Sequence, residues 1–389
     1  MRDDLSEEQK MLKETVKKFA KSDVEPLAYE IDRDEKFPTK SFKKMGEMGL
    51  LGTTIAEVYG GSGGSYIDLM IVVEELSAVC CSTAVSLAVT LGLFSDNVYR
   101  NGSEYLKNKY LPDMCSGRTI GGLAMTEPGA GSDVISMTTR ADLNGDHYVL
   151  NGRKTFISNG PVGDAFVVYA KTDSEKRQHG ITAFVVEKTF SGFTAGKQFE
   201  KMGWRGSPTG ELIFEDCFVP RDNVLGSPNA GINVLMSGLN TERLTMGAMS
   251  VGIARGAYEY ALQYASKRSQ FKKPILSFQR IQDKLIDMAI NIEAARMFVC
   301  KGARMADNGL RGVECNLIAS YAKLFSSEIC MKATTEAVQI LGGYGYVKEY
   351  PVERMMRDAK IMTIGGGTSE IQRMIIFDQL LKTVPNRGL

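Results

Sequence analysis

The sequence predicts an α+β protein in which a helical N-terminal domain, a β domain and a helical C-terminal domain follow one another. The spacing of apolar residues is close to 3.6 at first, changes to about 2 near Thr119, and returns to the helical value from about Ala230. The chain has 389 residues, and single cores stop growing at roughly 250–300 residues. We therefore expect three domains, over residues 1–118, 119–230 and 231–389.

The N-terminal third has the signals of a helical domain. Ser6 followed three residues later by Gln9 is a capping-box pattern, and apolar residues then fall on one helix face. A glycine-rich loop at 59–64 interrupts the helical spacing. The apolar stretch from Ile67 to Leu93 is typical of buried helix.

The middle of the chain contains short runs rich in Val, Ile, Phe and Tyr, each bounded by turn residues. Asn144-Gly145 lies between two of these runs and indicates a type I′ hairpin, because both residues tolerate a positive φ. No helical spacing separates the runs, so we expect a compact antiparallel β domain and not a doubly wound sheet. The six predicted strands are Ile120–Met125, Met137–Leu143, His147–Asn151, Ala165–Lys171, Ile181–Glu187 and Glu211–Val219.

The last part of the chain predicts long amphipathic helices. They extend roughly from Asn240 to Ser269, from Ser277 to Asn308 and from Val313 to Leu341.

Composition excludes several classes of function. The formal net charge of +1 provides no global field for nucleic acid or a membrane surface, and no run of 18 apolar residues predicts a membrane span. The acidic, polar start is unlike a secretory or transit peptide. The seven cysteines form no CxxC pair, and there are only two histidines. We expect free thiols in a reducing cytoplasm, no metal site, and neither nucleic-acid binding nor membrane insertion.

Two loops of the β domain are candidate ligand-binding segments. In Met125–Asp133 (MTEPGAGSD), the glycines leave N–H groups open and the hydroxyls can donate, which suits an anion or a ring edge rich in acceptors. In Phe156–Gly160, an aromatic ring and the Ser158 hydroxyl are two residues apart, so they share one face of a strand and could contact one planar cofactor. Taken alone, each segment is more often a simple turn.

Three C-terminal motifs suggest anion or carbonyl sites. Arg268-Ser269-Gln270-Phe271 joins two helices, where an arginine could clamp a phosphate or simply face solvent. The segment 339–345 (QILGGYG) has the pattern of a glycine-capped helix end. After Arg357–Ile361, the segment 365–371 (GGGTSEI) places three glycines before a helix, where free N–H groups are available.

Together and in this order, these motifs resemble the acyl-CoA dehydrogenase family over essentially the whole chain. The resemblance implies a C-terminal four-helix bundle, FAD as cofactor, a homotetramer and reoxidation by an electron-transfer flavoprotein. It also implies that three groups of residues contact FAD, several of them from a neighbouring subunit. These are Met125, Thr126, Gly131 and Ser132, then Phe156 and Ser158 beside the isoalloxazine, and finally Arg268, Phe271, Gln279, Gln339, Gly343, Thr368 and Glu370.

The catalytic base departs from the commoner family pattern. Many members carry a glutamate just before the Gly-Thr near the C-terminus, but here that position is Gly366. The segment Met236–Leu244 (MSGLNTERL) resembles the isovaleryl-CoA dehydrogenase subset, in which the base lies on the helix that opens the C-terminal domain. By that resemblance Glu242 is the base; the alternative is an ordinary ion pair on a solvated helix face.

The substrate is expected to be a short branched or alicyclic acyl-CoA. Gly365 and Gly366 remove two side chains beside the reacting carbons, and the backbone N–H of Gly366 is expected to bind the thioester carbonyl. The segment Ala84–Phe94, expected to line the acyl pocket, contains no charge, which disfavours a dicarboxylic acyl group. The substrate-binding residues are then Ser132, Asn240, Arg243, Gly365, Gly366 and Gly367.

Two other functions remain open on the sequence. An enoyl-CoA reductase would run the reverse reaction with a similar site. An inactive helical scaffold protein would bind no flavin.

Overall fold

The N-terminal third of the chain is helical, as predicted. This computed structural model describes residues 5–384, so the first four residues of the acidic start and the last five residues lie outside it. The predicted capping box is present, because the Ser6 hydroxyl accepts from the Gln9 N–H and the Gln9 side chain accepts from the Ser6 N–H. Helices α1 to α7 span Glu7–Phe19, Ala28–Asp34, Thr39–Glu47, Tyr66–Ser77, Cys81–Ala88, Asp96–Asn101 and Glu104–Cys115.

The apolar stretch that follows the glycine loop is divided into α4, α5 and a π-helical segment, Val89–Ser95. Within the described residues, one helical run, 81–101, is long and apolar enough to cross a membrane by length and composition alone. Its best window has a mean hydropathy of 1.2 and is 89% buried inside the protein. This run is packed as core.

Eight strands of the middle region form one sheet. Strands β1 to β8 span Gly121–Ala124, Arg140–Asn144, His147–Ser158, Ala165–Lys171, Ile181–Glu187, Phe193–Gln198, Thr209–Pro220 and Val224–Leu225. Their order is β6-β7-β3-β2-β4-β5-β8, and β1 pairs with β4. The expected antiparallel pairing dominates, but β1 runs parallel to β4, and β2 meets β4 in parallel at one residue pair. Strands β6 and β8 were not predicted from the sequence.

The predicted hairpin is confirmed, but its turn type is wrong. Asn144 pairs with His147, so the turn residues are Gly145 and Asp146. Only Gly145 has a positive φ, +62°, whereas a type I′ turn needs two such residues. Asn144 stays extended because it is the last paired residue of β2.

The sheet lies between two hydrophobic cores. Phe166 and Val168 of β4 face a core formed within the β region, together with Phe184 of β5. Val167 and Tyr169 face the opposite way and join the larger core made with the helices. Since both faces of β4 are covered, its sequence is almost continuously apolar.

The C-terminal helices form the expected bundle. Helices α8 to α12 span Gly231–Lys267, Gln279–Asp307, Val313–Leu341, Pro351–Ile361 and Ser369–Leu381. The three long helices pack against one another, α12 packs on α10 as the fourth, and the shorter α11 lies against α8 and α10. Strands β9 (Ser269–Gln270) and β10 (Lys273–Pro274) form a small ribbon between α8 and α9. Helix α8 also packs on α4, with Gly252 against Glu74 and Gly256 against Ala78, so the middle of α8 lies between the N-terminal helices and the bundle.

Candidate active site

Glu242 is a largely desolvated carboxyl group on α8. Its side chain is partly buried and makes no hydrogen bond or ion pair with any residue of the described chain. Burial raises the pKa of Glu242 above its usual range, although Arg243 and Lys323 oppose the rise. An ion pair on a solvated helix face, the alternative left open by the sequence, is therefore not what the structure contains.

A glycine turn with two positive φ values precedes α12. Gly366 and Gly367 have φ values of +63° and +86°, which glycine adopts without steric cost, whereas Gly365 has an ordinary φ. The side-chain amide of Gln372 donates to the carbonyl of Gly366 at 3.2 Å, and the Lys323 ammonium donates to that of Gly367 at 2.6 Å. The N–H groups of Gly366 and Gly367 have no partner among the described residues. They are available donors.

The base candidate and the glycine turn meet in space. A Cβ atom built on Gly366 would lie 3.7 Å from Glu242 Oε1 and 3.2 Å from Cγ of Met246. A proton acceptor and unpaired backbone donors therefore lie side by side, as enolisation of a thioester requires.

Gly365, beside this site, could accommodate a side-chain β-carbon without a clash. A Cβ atom built there would make only ordinary contacts, 3.6 Å to the Ile361 carbonyl oxygen and 3.7 Å to Cε of Met246. In the segment Ala84–Phe94 most side chains are packed in the core. Only Gly92 and Leu93 are partly accessible, and a Cβ at Gly92 would meet no atom within 4 Å.

A cleft of about 290 Å³ opens beside the same turns of α8. Asn240 lines it and donates to Asn316 at 2.9 Å. Arg243, predicted to bind substrate, is buried and donates to Asn240 at 3.2 Å, so in this structure it supports Asn240. Arg311 also lines the cleft. Sequence reasoning missed Arg311, because a lone arginine between Leu310 and Gly312 has no motif around it.

The middle-domain loops present free donors and an exposed ring. The hydroxyls of Thr126, Ser132 and Ser158 have no hydrogen-bond partner among the described residues, and a Cβ at Gly131 would meet open space. Phe156 lies in a β-bulge with φ +57° and is 67% exposed. Phe156 and Ser158 are both accessible, while Ile157 between them is buried, which agrees with a shared face. These features fit the ring and hydrogen-bonding edge of FAD.

A buried ion pair supports this loop. Lys154 is completely buried and donates to Glu127 Oε1 at 2.8 Å and to the Met125 carbonyl at 3.1 Å. The Glu127 carboxylate also accepts from the N–H groups of Thr138, at 2.6 Å, and Thr139, at 2.9 Å, and from the Thr138 hydroxyl at 2.8 Å. Burial favours the neutral acid, but Lys154 and these donors outweigh it and hold the pKa of Glu127 at about 2. Sequence reasoning missed the pair.

The remaining predicted cofactor residues form a second group at the α8–α9 and α10–α11 ends. The Arg268 guanidinium lies over the ring of Tyr344, 5.3 Å from its centroid, so the RSQF and GGYGY motifs meet. Phe271 is exposed with φ +51°. Gln279 begins α9, Gln339 is near the end of α10, and a Cβ at Gly343 would meet open space. Within the described residues, no hydrogen bond or ring contact joins this group to the Met125–Ser158 group.

Thr368 and Glu370 lie at the start of α12. The Thr368 hydroxyl caps the helix by accepting from the Ile371 N–H. The Glu370 carboxylate is exposed, and hydrogen bonds from its own N–H and from Thr368 hold its pKa below the usual range. Among the described residues, no cluster of three or more His, Cys, Asp or Glu side chains could hold a metal ion.

Three protein-family models match consecutive regions that together make up nearly the whole chain. The descriptions are acyl-CoA dehydrogenase N-terminal domain over residues 6–118, middle domain over 122–217 and C-terminal domain over 229–381.

Individual relatives agree with this result. The chain is 43% identical over 378 residues to a short-chain-specific acyl-CoA dehydrogenase of Clostridium acetobutylicum, covering 97% of this chain and 99% of the relative. It is 44% identical over 377 residues to a mitochondrial isovaleryl-CoA dehydrogenase of Solanum tuberosum, covering 96% and 90%.

Solved structures share the fold. Butyryl-CoA dehydrogenase from Megasphaera elsdenii superposes with a TM-score of 0.94 at 39% identity, covering 97% of this chain and 99% of that one. The FAD complex of PigA superposes with a TM-score of 0.92 at 30% identity, covering 97% and 98%.

Proposed function

Because the chain belongs to the acyl-CoA dehydrogenase family of FAD-dependent oxidoreductases, we propose that it converts a short branched or alicyclic acyl-CoA into the α,β-unsaturated thioester. The observation that carries the proposal is the position of the Glu242 carboxylate beside Gly366, whose N–H has no partner within residues 5–384. A base and an oxyanion donor are two of the parts that this reaction needs.

In the proposed reaction, Glu242 removes a proton from Cα, and the electron pair of that C–H bond forms the new Cα–Cβ double bond. The Gly366 N–H stabilises the enolate-like thioester oxygen as charge develops there. FAD, when bound, supplies a two-electron acceptor for the hydride that leaves Cβ. Thr126, Ser132, Phe156 and Ser158 would hold it in the middle domain, and the Arg268–Gly343 group would bind its ADP portion, in part from a neighbouring subunit.

The acyl group is proposed from the space around Gly365. Relatives at similar identity carry the names short-chain acyl-CoA dehydrogenase and isovaleryl-CoA dehydrogenase, so relatedness alone does not choose between straight and branched acyl groups. The absence of a side chain at Gly365, where a Cβ would make only ordinary contacts, and the uncharged segment 84–94 support a branched or alicyclic group. The Asn240–Arg311 cleft supports binding of the phosphate-bearing CoA portion.

The same membership supports three further proposals. They are a homotetramer, electron transfer to an electron-transfer flavoprotein and a cytoplasmic location. A dehydrogenase without a carrier would stop after one turnover, since its flavin would stay reduced.

The test begins with the colour of the purified protein. We expect a yellow protein that releases roughly one FAD per chain on denaturation. Anaerobic mixing with a saturated branched acyl-CoA should bleach the flavin, and the enoyl-CoA should appear in equal amount. Reoxidation of chemically reduced enzyme by the enoyl-CoA, without bleaching by the saturated ester, would instead indicate the reductase. A colourless protein that binds no FAD would instead indicate the inactive scaffold protein.

A further inference from the structure

The strongest feature outside the residues assigned above is a lysine buried inside the bundle. Lys323 lies on α10, has no exposed surface, and makes one hydrogen bond in the described chain, the 2.6 Å bond to the Gly367 carbonyl. An ammonium group has three N–H donors and a large desolvation cost, so complete burial with one neutral acceptor is unfavourable by itself. Its place in the site gives a reason for that burial.

Lys323 acts on the site in two ways: its side chain binds the backbone of the glycine turn, and its positive charge lies near Glu242. By binding the Gly367 carbonyl it fixes one side of the turn, while Gln372 holds the Gly366 carbonyl on the same side. Because C=O and the following N–H point in opposite directions across a trans peptide, clamping these carbonyls turns the N–H groups of Gly367 and Thr368 away from α10. The clamp therefore fixes the geometry of the donor turn.

The charged groups around Glu242 and Lys323 are few. Glu242 faces Arg243 on its own helix, Lys323 on α10 and the buried Tyr169 on β4. Lys323 in turn faces Glu242 and Arg243 on α8, Glu370 on α12 and Glu328 on its own helix. Both cations favour the ionised Glu242 carboxylate, but the hydrogen bond of Arg243 goes to Asn240, whereas that of Lys323 goes to the glycine turn.

We propose that Lys323 is a positioning residue, whose ammonium fixes the Gly366–Gly367 turn through the Gly367 carbonyl and keeps the neighbouring Glu242 carboxylate ionised. This role rests on the proposed function of Glu242 as the base. Lys323 itself makes no contact with the reacting carbons and transfers no proton.

The first experiment follows Glu242 without turnover. Infrared difference spectra between each protein and its Glu242→Gln counterpart isolate the C=O stretch of the protonated Glu242 carboxyl as pH falls. In Lys323→Met, that band should appear at a higher pH than in wild type, because loss of a nearby positive charge raises a carboxyl pKa. The control is Lys332→Met, an exposed lysine on the same helix, which should leave the titration unchanged.

Two further variants separate charge from the clamp. Lys323→Gln keeps an N–H donor but no charge, so it should reproduce the titration shift, and it serves if the methionine variant does not fold. Gln372→Leu removes only the other clamp, so it should lower kcat without moving the titration.

The outcomes are distinct. An unchanged Glu242 titration in both Lys323 variants overturns the proposal, because a merely structural lysine would change only unfolding temperature or flavin content. If wild type oxidises no acyl-CoA while the titration still shifts, the proposed function fails and the coupling between Lys323 and Glu242 stands.

Discussion

Glu242 Oε1 lies 3.7 Å from the position that a Cβ atom of Gly366 would occupy. The two residues are distant in the sequence: Glu242 lies in the N-terminal third of α8, and Gly366 lies in the turn before α12. Family members with a glutamate at the position of Gly366 would start that side chain at this same place. The base can thus be supplied from either segment to one point beside the free N–H groups.

Replacing Glu242 by Gln is expected to lower kcat by at least about 10²–10⁴-fold, the usual contribution of a positioned base. Flavin content and acyl-CoA binding should change little, because Glu242 makes no hydrogen bond within the described chain. Steady-state kinetics and ligand titration of flavin absorbance check this. Glu259→Gln, an exposed change on the same helix, is the control. Activity within about threefold of wild type would remove Glu242 from the mechanism.

Moving the carboxylate should restore part of the activity. In the double variant Glu242→Gly with Gly366→Glu, the new side chain starts within reach of the former Oε1 position. Because a non-glycine residue in the left-handed region costs roughly 1–2 kcal/mol, we expect a lower unfolding temperature. The kcat of this variant should exceed that of Glu242→Gln by about tenfold or more, within the range that a general base contributes. Equal rates in the two variants would contradict the shared position.

Strands β4 and β5 have the predicted bounds, because each is a continuous apolar run between turn residues. Strand β6 was missed because Phe193–Gln198 is polar and accessible, and is held by backbone pairing with β7. Periodicity detects burial, and an edge strand has little of it.

The residues of the candidate site also divide into those that the sequence could predict and those that it could not. Glu242 and the glycine turn belong to segments with recognisable order, so the sequence could nominate them. Lys323 and the Glu127–Lys154 pair act through partners distant in the sequence. Only the packing of helices and strands brings such partners together, and a single buried lysine leaves no pattern in the sequence.

The Glu127–Lys154 pair predicts a loss of flavin when it is broken. Lys154→Met should leave the Glu127 carboxylate buried without its cation and the Met125 carbonyl without its donor, so the loop that presents Thr126 should loosen. Removing one partner of a buried pair costs about 3–5 kcal/mol. We expect a lower unfolding temperature and a smaller ratio of FAD to protein, measured by absorbance. Lys188→Met, which breaks the exposed pair with Asp164, should change neither. Full flavin content in Lys154→Met would show that the pair does not support the loop.

Asp358 predicts a pH-dependent stability. It is buried on α11, and its Oδ1 accepts from the N–H of Trp204 at 2.6 Å. Burial raises its pKa to about 6, compared with about 3.9 in an unfolded chain. Below pH 4 Asp358 is protonated in both the folded and the unfolded protein, so its ionisation does not lower the free energy of unfolding. Between pH 4 and 6 the folded state binds the proton more tightly, so stability falls as pH rises, by up to about 3 kcal/mol above pH 6.

Asp358→Asn should remove this penalty, because an amide keeps the acceptor for Trp204 and cannot ionise. Its unfolding temperature should exceed that of wild type at pH 8, and the difference should shrink at pH 5. Asp378→Asn, an exposed change on α12, should give no pH-dependent difference. A constant difference across this range would mean that Asp358 does not titrate near pH 6.

Gly365 predicts which acyl groups are oxidised. Gly365 differs in backbone conformation from the two glycines that follow it, because only Gly366 and Gly367 need a positive φ. Residue 365 can therefore carry a side chain without backbone strain, and its Cβ would meet only ordinary contacts. We expect the branch or ring of the substrate to take the space that a side chain at residue 365 would otherwise occupy. A methyl group in such a pocket is worth roughly 1–3 kcal/mol, or about 10–200-fold in kcat/KM.

We expect wild type to favour isovaleryl-CoA or cyclohexanecarboxyl-CoA over butyryl-CoA and octanoyl-CoA in kcat/KM. Gly365→Tyr should fill that space and reverse that ranking while the protein stays folded and yellow, since the backbone conformation suits any residue. Gly145→Ala in the exposed β2–β3 hairpin is the matched control, because strain at its positive φ should lower the unfolding temperature and leave the ranking unchanged. The same four substrates measured on the three proteins decide the matter. A wild-type preference for octanoyl-CoA would exclude the branched or alicyclic substrate, and an unchanged ranking in Gly365→Tyr would show that the acyl group lies elsewhere.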